Sequence, residues 1–359
     1  MEVSKLQNRR IGKSIACVDL FCGAGGLTHG LIRKGIRVVA GIDLDSECRF
    51  PYEKNNRNAI FVEKDICDLS GDDIAALYDD SPIRLLAGCA PCQPFSTYSR
   101  KGRKVRTDMK WNLVSEFSRL IHETKPDLVT MENVPQLADH EVFEQFLGGL
   151  QGYETSWRIV DCTEYGVPQT RKRLVLLASR FGPVGLLPPS QFSRGTQTVR
   201  EAISHLPPIE AGSSDQNDPV HVACALSDLN LRRIKASQPG GSWRDWDDAL
   251  LAECHRKSSG QTYPSVYGRM EWDTPAPTVT TQCFGYGNGR FGHPEQNRAI
   301  SLREAAILQS FPETYQFVSP SSRMRFHVLG RLIGNAVPVR LGELVAESLI
   351  AHVRDNALG

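Results

Sequence analysis

Residues 15–26 read IACVDLFCGAGG, and the expected fold follows from this stretch. Ile15–Leu20 is a short apolar run of the kind that forms a buried strand, and a glycine-rich turn comes directly after it. A helical pattern begins at Leu27, so the order is strand, tight turn and helix. Glycine lets the backbone turn sharply and approach a ligand closely. Open α/β sheets bind ligands at the carboxyl ends of their strands, so this turn is a candidate nucleotide site.

The same alternation continues over the first half of the chain. Apolar runs of strand length alternate with stretches whose apolar residues recur at helical spacing. This order predicts an α/β protein with a doubly wound, mostly parallel sheet. The predicted strands are 15–20, 37–43, 83–88 and 127–131, with a closing pair at 156–161 and 173–179, and the predicted helices are 27–34, 46–55, 112–123, 141–150 and 341–353.

Regular patterning stops after about residue 181, where prolines become frequent. Residues 190–325 are rich in turn-forming residues and also contain several tryptophans and tyrosines. We therefore expect a large domain formed by residues 1–188 and 331–359, and a smaller domain formed by residues 189–330.

The bulk composition excludes some classes of protein. The net charge is +1, so any charge that binds nucleic acid must be local. No apolar run reaches the roughly 18 residues of a transmembrane helix, and the polar, basic start lacks the long apolar region of an export signal. The ten cysteines then indicate reduced thiols, and we expect a cytoplasmic protein without membrane contact.

The glycine turn differs from that of a dinucleotide-binding dehydrogenase. The GxGxxG fingerprint would require glycine at position 28, which is Thr28. Asp43 ends the next predicted strand and Asp65 follows a further one, so these carboxylates are candidates to bind ribose hydroxyls and an adenine amino group. The arrangement suits an adenosine-containing cofactor; the alternative is a structural turn with two solvated carboxylates.

A second loop, Cys89-Ala90-Pro91-Cys92, follows the strand predicted at 83–88. Its CxxC spacing has three interpretations: a redox pair, half of a zinc site, or a single nucleophile held by neighbouring prolines. The sequence lacks a second CxxC for zinc, and the order of elements before the loop is not thioredoxin-like. Residues 100–110 carry six basic side chains and one acidic, which favours a loop that contacts phosphates over a plain solvated surface.

Two further patterns place polar side chains near the same strand ends. Glu132 follows the strand predicted at 127–131, where burial would suit it as a proton donor; a capping or ion-pairing role is the alternative. In QTRKR (169–173), strand alternation puts Arg171 and Arg173 on one face. Two guanidinium groups there would suit an anionic or carbonyl-bearing substrate, and the alternative is an exposed basic strand end.

Eight segments, taken together, closely resemble the DNA cytosine-C5 methyltransferase family. The match runs from about residue 15 to 350, apart from a part near 190–265, where the family keeps its variable target-recognition region. Each motif alone is weak, but their common order is very specific. The segments are DLFCGAGG (19–26), Asp43, Asp65-Ile66, GCAPCQPFS (88–96), MENV (131–134), QTRKR (169–173), RAISLREAAILQSFPETY (298–315) and GNAVP (334–338).

This resemblance implies a Rossmann-like S-adenosylmethionine-dependent methyltransferase fold whose small domain recognises the target. It also implies that Cys92, as a thiolate, attacks C6 of a flipped-out cytosine while Glu132 protonates or hydrogen-bonds N3. Arg171 would bind O2 of the base, and Arg173 belongs to the same catalytic set. Cys89 is expected only to pack.

The resemblance also implies binding residues. Asp43 departs from the family's usual glutamate, Leu44 stands where some members have tryptophan, and Ala90 replaces a common phenylalanine. Adenine would therefore meet a plain apolar contact at Leu44. No metal is expected. The cofactor contacts that the resemblance implies are Phe21, Gly23, Gly25, Asp43, Leu44, Asp65, Ile66, Pro91, Leu113, Asn335 and Val337. The expected DNA contacts come from the residues themselves: Ser96, Arg100, Lys101, Arg103 and Arg106 in and beside the basic loop, and Arg269 and Arg290 with the glycine-rich run 285–289, for which a plain turn is the alternative.

The implied substrate is double-stranded DNA carrying a specific recognition sequence. The enzyme would be a monomer in the bacterial cytoplasm, associated with the nucleoid through DNA. A restriction endonuclease that cuts the same site would be its partner in a restriction-modification system. Two alternatives remain: a transfer-RNA cytosine-5 methyltransferase of the same fold, and a non-catalytic DNA-binding relative.

Overall fold

The computed structural model describes residues 2–91, 107–192 and 195–356, and within these ranges it describes side chains except those of 2–6 and 107–112. None of the described helices is long and apolar enough to cross a membrane. The helices are α1 (Glu2–Ser14), α2 (Gly26–Lys34), α3 (Arg49–Asn55), α4 (Gly71–Leu77), α5 (Thr107–Thr124), α6 (Glu141–Gly148), α7 (Pro189–Phe192), α8 (Val199–Ile203), α9 (Asp228–Ala236), α10 (Leu302–Leu308), α11 (Phe326–Asn335) and α12 (Val339–Asn356). The strands are β1 (Ile15–Leu20), β2 (Arg37–Asp43), β3 (Ile60–Glu63), β4 (Ile83–Gly88), β5 (Leu128–Asn133), β6 (Glu154–Asp161), β7 (Gln169–Thr170), β8 (Lys172–Ser179) and β9 (Ala276–Pro277).

Seven strands form one sheet in the order β3-β2-β1-β4-β5-β8-β6. β1 lies between β2 and β4 and runs parallel to both, so the chain winds outward from it in two directions. β8 is antiparallel to its neighbours β5 and β6. The predicted doubly wound, mostly parallel sheet and its closing strand pair are confirmed. The carboxyl ends of β1 and β4 flank the switch point, where such sheets bind ligands.

The chain divides into two compact units. Unit 1 comprises Met1–Tyr165, Lys172–Arg194 and Val337–Gly359, and it contains the seven-stranded sheet. Unit 2 comprises Gly166–Arg171 and Gly195–Ala336, and it contains the two-stranded sheet of β7 and β9. The residues between β6 and β8 therefore belong in part to unit 2, although both strands belong to unit 1. The sequence pattern does not predict this change of unit.

Each unit has its own apolar core. In unit 1, β1 and β5 are buried along their whole length, as expected for strands covered on both faces. In unit 2, Trp243, Trp246 and Tyr286 form a buried cluster with residues around them. The predicted turn-rich, aromatic segment therefore folds around its own aromatic side chains.

Helices α2 and α12 pack closely because glycine stands at their contact. A Cβ atom on Gly30 would lie 2.3 Å from the carbonyl oxygen of Val339 and 2.7 Å from the amide nitrogen of Glu343. Gly30→Ala is therefore expected to lower the free energy of unfolding by about 1–3 kcal/mol, since backbone atoms must move apart. Urea denaturation measures the change.

The control for that substitution is Gly148, in α6, where an added Cβ atom would have nothing within 4 Å. Gly148→Ala should leave stability unchanged or raise it by up to ~1 kcal/mol, because alanine favours the helix. If both substitutions changed the free energy of unfolding equally, the close contact between α2 and α12 would not be the reason that Gly30 is required.

Candidate active site

The glycine turn after β1 is hydrogen-bonded to the end of β2. The amide of Gly23 donates to Asp43 Oδ2 at 2.9 Å, and the amide of Cys22 donates to the carbonyl of Ile42 at 3.2 Å. Phe21, Gly23 and Gly25 have positive φ angles of 57°, 53° and 87°. For Phe21 this left-handed conformation costs about 1–2 kcal/mol, a strain that is typical of functional sites.

Space remains open beside this turn. A Cβ atom on Gly23 would have nothing within 4 Å, so the backbone there is accessible to a ligand. Asp43 also accepts the amide of Asp45 at 2.9 Å, which fixes its carboxylate at the tip of β2. The next residue, Leu44, is a large apolar side chain that is 65% exposed. The turn, the carboxylate and an apolar surface thus lie at one edge of the sheet.

The second predicted acid also lies at this edge. Asp65 follows β3, which pairs in parallel with β2, and its Oδ1 accepts the amide of Cys67 at 3.0 Å. Ile66 is buried in the core of unit 1, so its side chain offers little surface to a ligand. The remaining predicted cofactor residues differ in exposure: Pro91 and Asn335 are exposed, Leu113 is half-buried, and Val337 is buried. Asn335 belongs to unit 2 and Val337 to unit 1.

Sequence reasoning missed Asp19, which lies inside β1 just before the glycine turn. Its side chain is 1% exposed; Oδ2 accepts the hydroxyl of Thr28 at 2.6 Å, and Oδ1 has no hydrogen-bond partner among the described residues. Burial, with a contribution from Asp43, raises the pKa of Asp19 to about 7, although the Thr28 bond acts in the opposite direction. An acid inside the apolar run IACVDL was the signal that could have drawn attention to it. Thr28, which stands where the dehydrogenase fingerprint requires glycine, is therefore the hydrogen-bond donor to this carboxyl group.

Glu132 lies near the end of β5, and side chains from both neighbouring strands meet it. The thiol of Cys89, which directly follows β4, donates to Glu132 Oε2 at 2.8 Å. Nε of Arg173, in β8, lies 2.8 Å from Glu132 Oε1, an ion pair outside hydrogen-bond geometry. Glu132 itself is 5% exposed. A buried carboxylate with a thiol and a guanidinium on its two oxygens is suited to interact with a polar ring.

The state of Cys89 follows from this contact. Burial, the charge of Glu132 and the hydrogen bond to it raise the pKa of the Cys89 thiol well above its ordinary value. Cys89 therefore remains protonated at neutral pH and cannot serve as a thiolate nucleophile. The expectation that Cys89 only packs was wrong, because its thiol hydrogen-bonds Glu132.

The proposed nucleophile, Cys92, comes directly after Pro91, the last described residue of its loop. Cys92 lies outside the described residues, as do Ser96 and the basic residues expected to contact DNA in the same loop (Arg100, Lys101, Arg103 and Arg106). The last described part of their loop is held from β5, because Asn133 Nδ2 donates to the carbonyl of Ala90 at 3.0 Å. Cys92 follows that anchored carbonyl by two positions in the sequence.

The prediction that Arg171 and Arg173 share one face of a strand was wrong. β7 ends before Arg171 and β8 begins after it, so the two arginines belong to different units. Arg171 is 2% exposed and donates to the carbonyls of Val279 at 3.0 Å and Gly334 at 3.2 Å. Its guanidinium is bonded within unit 2, whereas that of Arg173 lies at Glu132.

Arg269, expected to contact DNA, is another correction. Its side chain is 5% exposed, and its guanidinium donates to the carbonyl of Ile234 at 2.9 Å and to Asn297 Oδ1 at 2.8 Å. Because these bonds are inside unit 2, Arg269 is a structural residue. Arg290 is half-buried and donates to the carbonyl of Gly241 at 3.1 Å; its DNA contact stays a prediction.

Comparison with known proteins identifies a family. The family model for C-5 cytosine-specific DNA methylases matches residues 15–351. The Type II methylase M.HgiDII of Herpetosiphon aurantiacus is 52% identical over 339 residues, which cover 93% of this chain and 94% of that protein. The Type II methyltransferase M1.HphI of Haemophilus parahaemolyticus is 30% identical, covering 94% of this chain and 87% of that protein.

Solved structures show the same fold. A prophage-encoded DNA modification methyltransferase from E. coli has a TM-score of 0.72 at 20% identity, covering 95% of this chain and 99% of that one. The Dnmt2 methyltransferase of S. pombe has a TM-score of 0.60 at 17% identity, with the same coverage of 95% and 99%. With the motifs in family order and a buried glutamate at the tip of β5, this chain belongs to the C-5 cytosine-specific DNA methylase family, a family of DNA (cytosine-5-)-methyltransferases.

Proposed function

We propose that this protein transfers a methyl group from S-adenosylmethionine to carbon 5 of cytosine in a specific sequence of duplex DNA. We further propose that it is the modification enzyme of a Type II restriction-modification system, as its relatives' names indicate for them. The observation that carries the proposal is the buried carboxylate of Glu132, which contacts Arg173 and Cys89, and Cys89 precedes Cys92 by three positions in the sequence. A cognate restriction endonuclease would then act on the same site.

The described residues fit S-adenosylmethionine. The open space at Gly23 accommodates a ligand against the backbone, the carboxylate of Asp43 can still accept hydroxyl donors, and exposed Leu44 offers an apolar surface to an adenine ring. Asp43 supplies a carboxylate at the turn, which suits a cofactor that bears cationic sulfonium and ammonium groups. When bound there, S-adenosylmethionine would supply the methyl group.

The protein's own groups would activate the cytosine ring. The Cys92 thiolate forms a bond to C6, and the electron pair of the C5–C6 double bond moves toward C5 and N3. Glu132, once it has taken up a proton from solvent, protonates or hydrogen-bonds N3, so negative charge does not build up on the ring. After C5 is methylated, a base removes the C5 proton, the bond between sulfur and C6 breaks, and the ring regains its aromaticity. The target base must leave the helix for this chemistry, at a cost of a few kcal/mol.

We propose that Arg173, in place of Arg171, binds O2 of the base. Arg173 already lies at Glu132, so a ring bound by Glu132 through N3 would present its neighbouring O2 to this guanidinium. Arg171 is buried against backbone carbonyls of unit 2, and we propose a structural role for it. Unit 1 would then carry the cofactor and the chemistry, while unit 2 would recognise the target.

This assignment predicts different consequences for the two arginines. Arg173→Ala is expected to lower kcat by at least about a hundredfold, the usual range for loss of a charged hydrogen-bond donor to a reacting group. It should also lower the free energy of unfolding, because the buried Glu132 carboxylate loses its counter-charge. Arg171→Met is expected to reduce the free energy of unfolding of unit 2 by about 1–3 kcal/mol, because buried carbonyls lose their donors. Steady-state kinetics and urea denaturation measure these effects.

The matched control is Lys172, which lies between the two arginines with a side chain that is 66% exposed. Lys172→Ala should change neither kcat nor stability. If Arg171→Met removed activity without loss of stability while Arg173→Ala remained active, Arg171 and not Arg173 would be the residue that binds O2 of the base.

Bisulfite sequencing of DNA from cells that express the protein tests the function. We expect protected cytosines at one recurring short sequence, which would also identify the recognition site. Transfer of labelled methyl groups to duplex DNA and to transfer RNA, measured side by side, separates the two substrate classes. Labelling of RNA alone would overturn the proposal, and a lack of labelling on either would indicate a non-catalytic relative.

A further inference from the structure

The two oxygens of Glu132 have different partners: Oε2 accepts a hydrogen bond, whereas Oε1 makes an ion pair outside hydrogen-bond geometry. Oε1 lies 2.8 Å from Nε of Arg173. Oε2 accepts from the thiol of Cys89, and a thiol is a weak donor. The hydrogen bond that the described residues give this carboxylate therefore comes from a weak donor, which a substrate that needs Oε2 can displace without separating the ion pair with Arg173.

We propose that Cys89 is a positioning residue for Glu132: its thiol holds Oε2 in the free enzyme and releases it to the cytosine ring. The proposal rests on the proposed function, because it assumes that Glu132 acts on the base. It extends that function by giving the first cysteine of the CxxC loop a defined role, distinct from the attack assigned to Cys92.

The surroundings of Glu132 explain why such a residue is needed. Because Oε1 has no hydrogen-bond donor among the described residues, loss of the thiol would leave this buried carboxylate without any, which is unfavourable and would let it rotate to find another partner. Cys89 directly follows β4 while Glu132 lies in the neighbouring β5, and the Cys89 amide donates to the carbonyl of Leu20 at 3.2 Å. The thiol is thus presented from a fixed backbone. Because its pKa is raised, it stays a hydrogen-bond donor at the pH where Cys92 must be a thiolate.

Two substitutions distinguish positioning from packing. Serine keeps a donor at this point, whereas alanine removes it, so Cys89→Ser should keep kcat within about threefold of the wild type while Cys89→Ala lowers it about tenfold. The KM for DNA should change less than twofold in both, since the contact is made to the carboxylate and not to the duplex. The substrate is PCR-amplified genomic DNA, which carries no methyl groups, with labelled S-adenosylmethionine.

A purely packing role predicts the opposite order, because serine would bury a hydroxyl that alanine lacks. The matched control is Cys17, a fully buried cysteine in β1 that packs in the same sheet. There the serine variant should be the more damaging of the two. If Cys89→Ala were as active as the wild type, or if Cys89→Ser were the worse variant, the proposal would be overturned.

A second measurement does not depend on activity. In a Cys92→Ala background, the rate at which iodoacetamide alkylates Cys89 is followed by mass spectrometry at pH 8.5, with and without Glu132→Gln. Because the carboxylate raises the thiol pKa, Glu132→Gln should accelerate alkylation severalfold. An unchanged rate would show that Cys89 and Glu132 are not coupled. Failure of wild-type methyl transfer would instead refute the proposed function, so the two failures are distinguishable.

Discussion

Replacing Cys92 with serine is expected to lower methyl transfer by at least about a thousandfold, which corresponds to ~4 kcal/mol of transition-state stabilisation. A thiol with a pKa near 8.5 supplies some thiolate at neutral pH, whereas a serine hydroxyl supplies essentially no alkoxide. Without a nucleophile bonded to C6, carbon 5 of cytosine cannot accept a methyl group. The loss is measured with labelled S-adenosylmethionine and unmethylated duplex DNA.

The fold should survive this substitution, so the unfolding midpoint in urea is expected to match that of the wild type. Cys254→Ser is a suitable control, because Cys254 is an exposed thiol of unit 2. It should leave the rate unchanged. A Cys92→Ser variant with near-normal activity would remove Cys92 from the mechanism and reopen the question of which thiol reacts.

The parts of the fold that could be predicted from sequence are those set by local pattern. Ile15–Leu20, Arg37–Asp43 and Ile83–Gly88 form strands with the predicted bounds, because continuous apolar runs ended by turn residues have few other ways to fold. The strand predicted at 127–131 extends to Asn133, since Glu132 and Asn133 are buried polar residues that pattern alone assigns to a loop.

The parts that could not be predicted depend on partners far away in the sequence. Alternation placed Arg171 beside Arg173, but the carbonyl acceptors of Arg171 come from residues more than a hundred positions later. Arg269 similarly binds the carbonyl of Ile234. An arginine in a loop looks the same in sequence whether it meets a phosphate or a buried carbonyl. Cys89 is the same kind of case, because CxxC spacing gives no information about the Glu132 carboxylate on the adjacent strand.

Unit 2 contains a fully buried ion pair whose disruption is expected to have the largest effect on stability. Arg298 and Glu304 are 0% and 1% exposed, and two hydrogen bonds of 2.7 Å join the guanidinium to the carboxylate. Burial acts to raise the pKa of Glu304, but the bonds and charge of Arg298 outweigh it and lower that pKa to about 2. Since the folded-state pKa lies below the unfolded value of about 4.3, the resulting stability is present above pH ~4.3 and is lost as the pH falls toward 2.

Glu304→Gln is therefore expected to reduce the free energy of unfolding of unit 2 by about 3–5 kcal/mol, because it leaves the Arg298 charge buried and uncompensated. Removing both charges, with Arg298→Met added, should be less damaging than the sum of the two single changes, with a coupling of about 2–3 kcal/mol. Urea denaturation with hydrogen exchange of unit 2 peptides measures both, since the two units need not unfold together.

The exposed pair Arg200–Asp273 provides the matched control in the same unit. It is also doubly hydrogen-bonded, at 2.7 and 3.0 Å, but its side chains are 51% and 76% exposed. Solvent screening should leave its double-substitution cycle without measurable coupling. If the buried and exposed pairs gave the same coupling, burial would not be the source of the Arg298–Glu304 contribution, and the acid-induced loss of stability between pH ~4.3 and 2 would need another carboxylate.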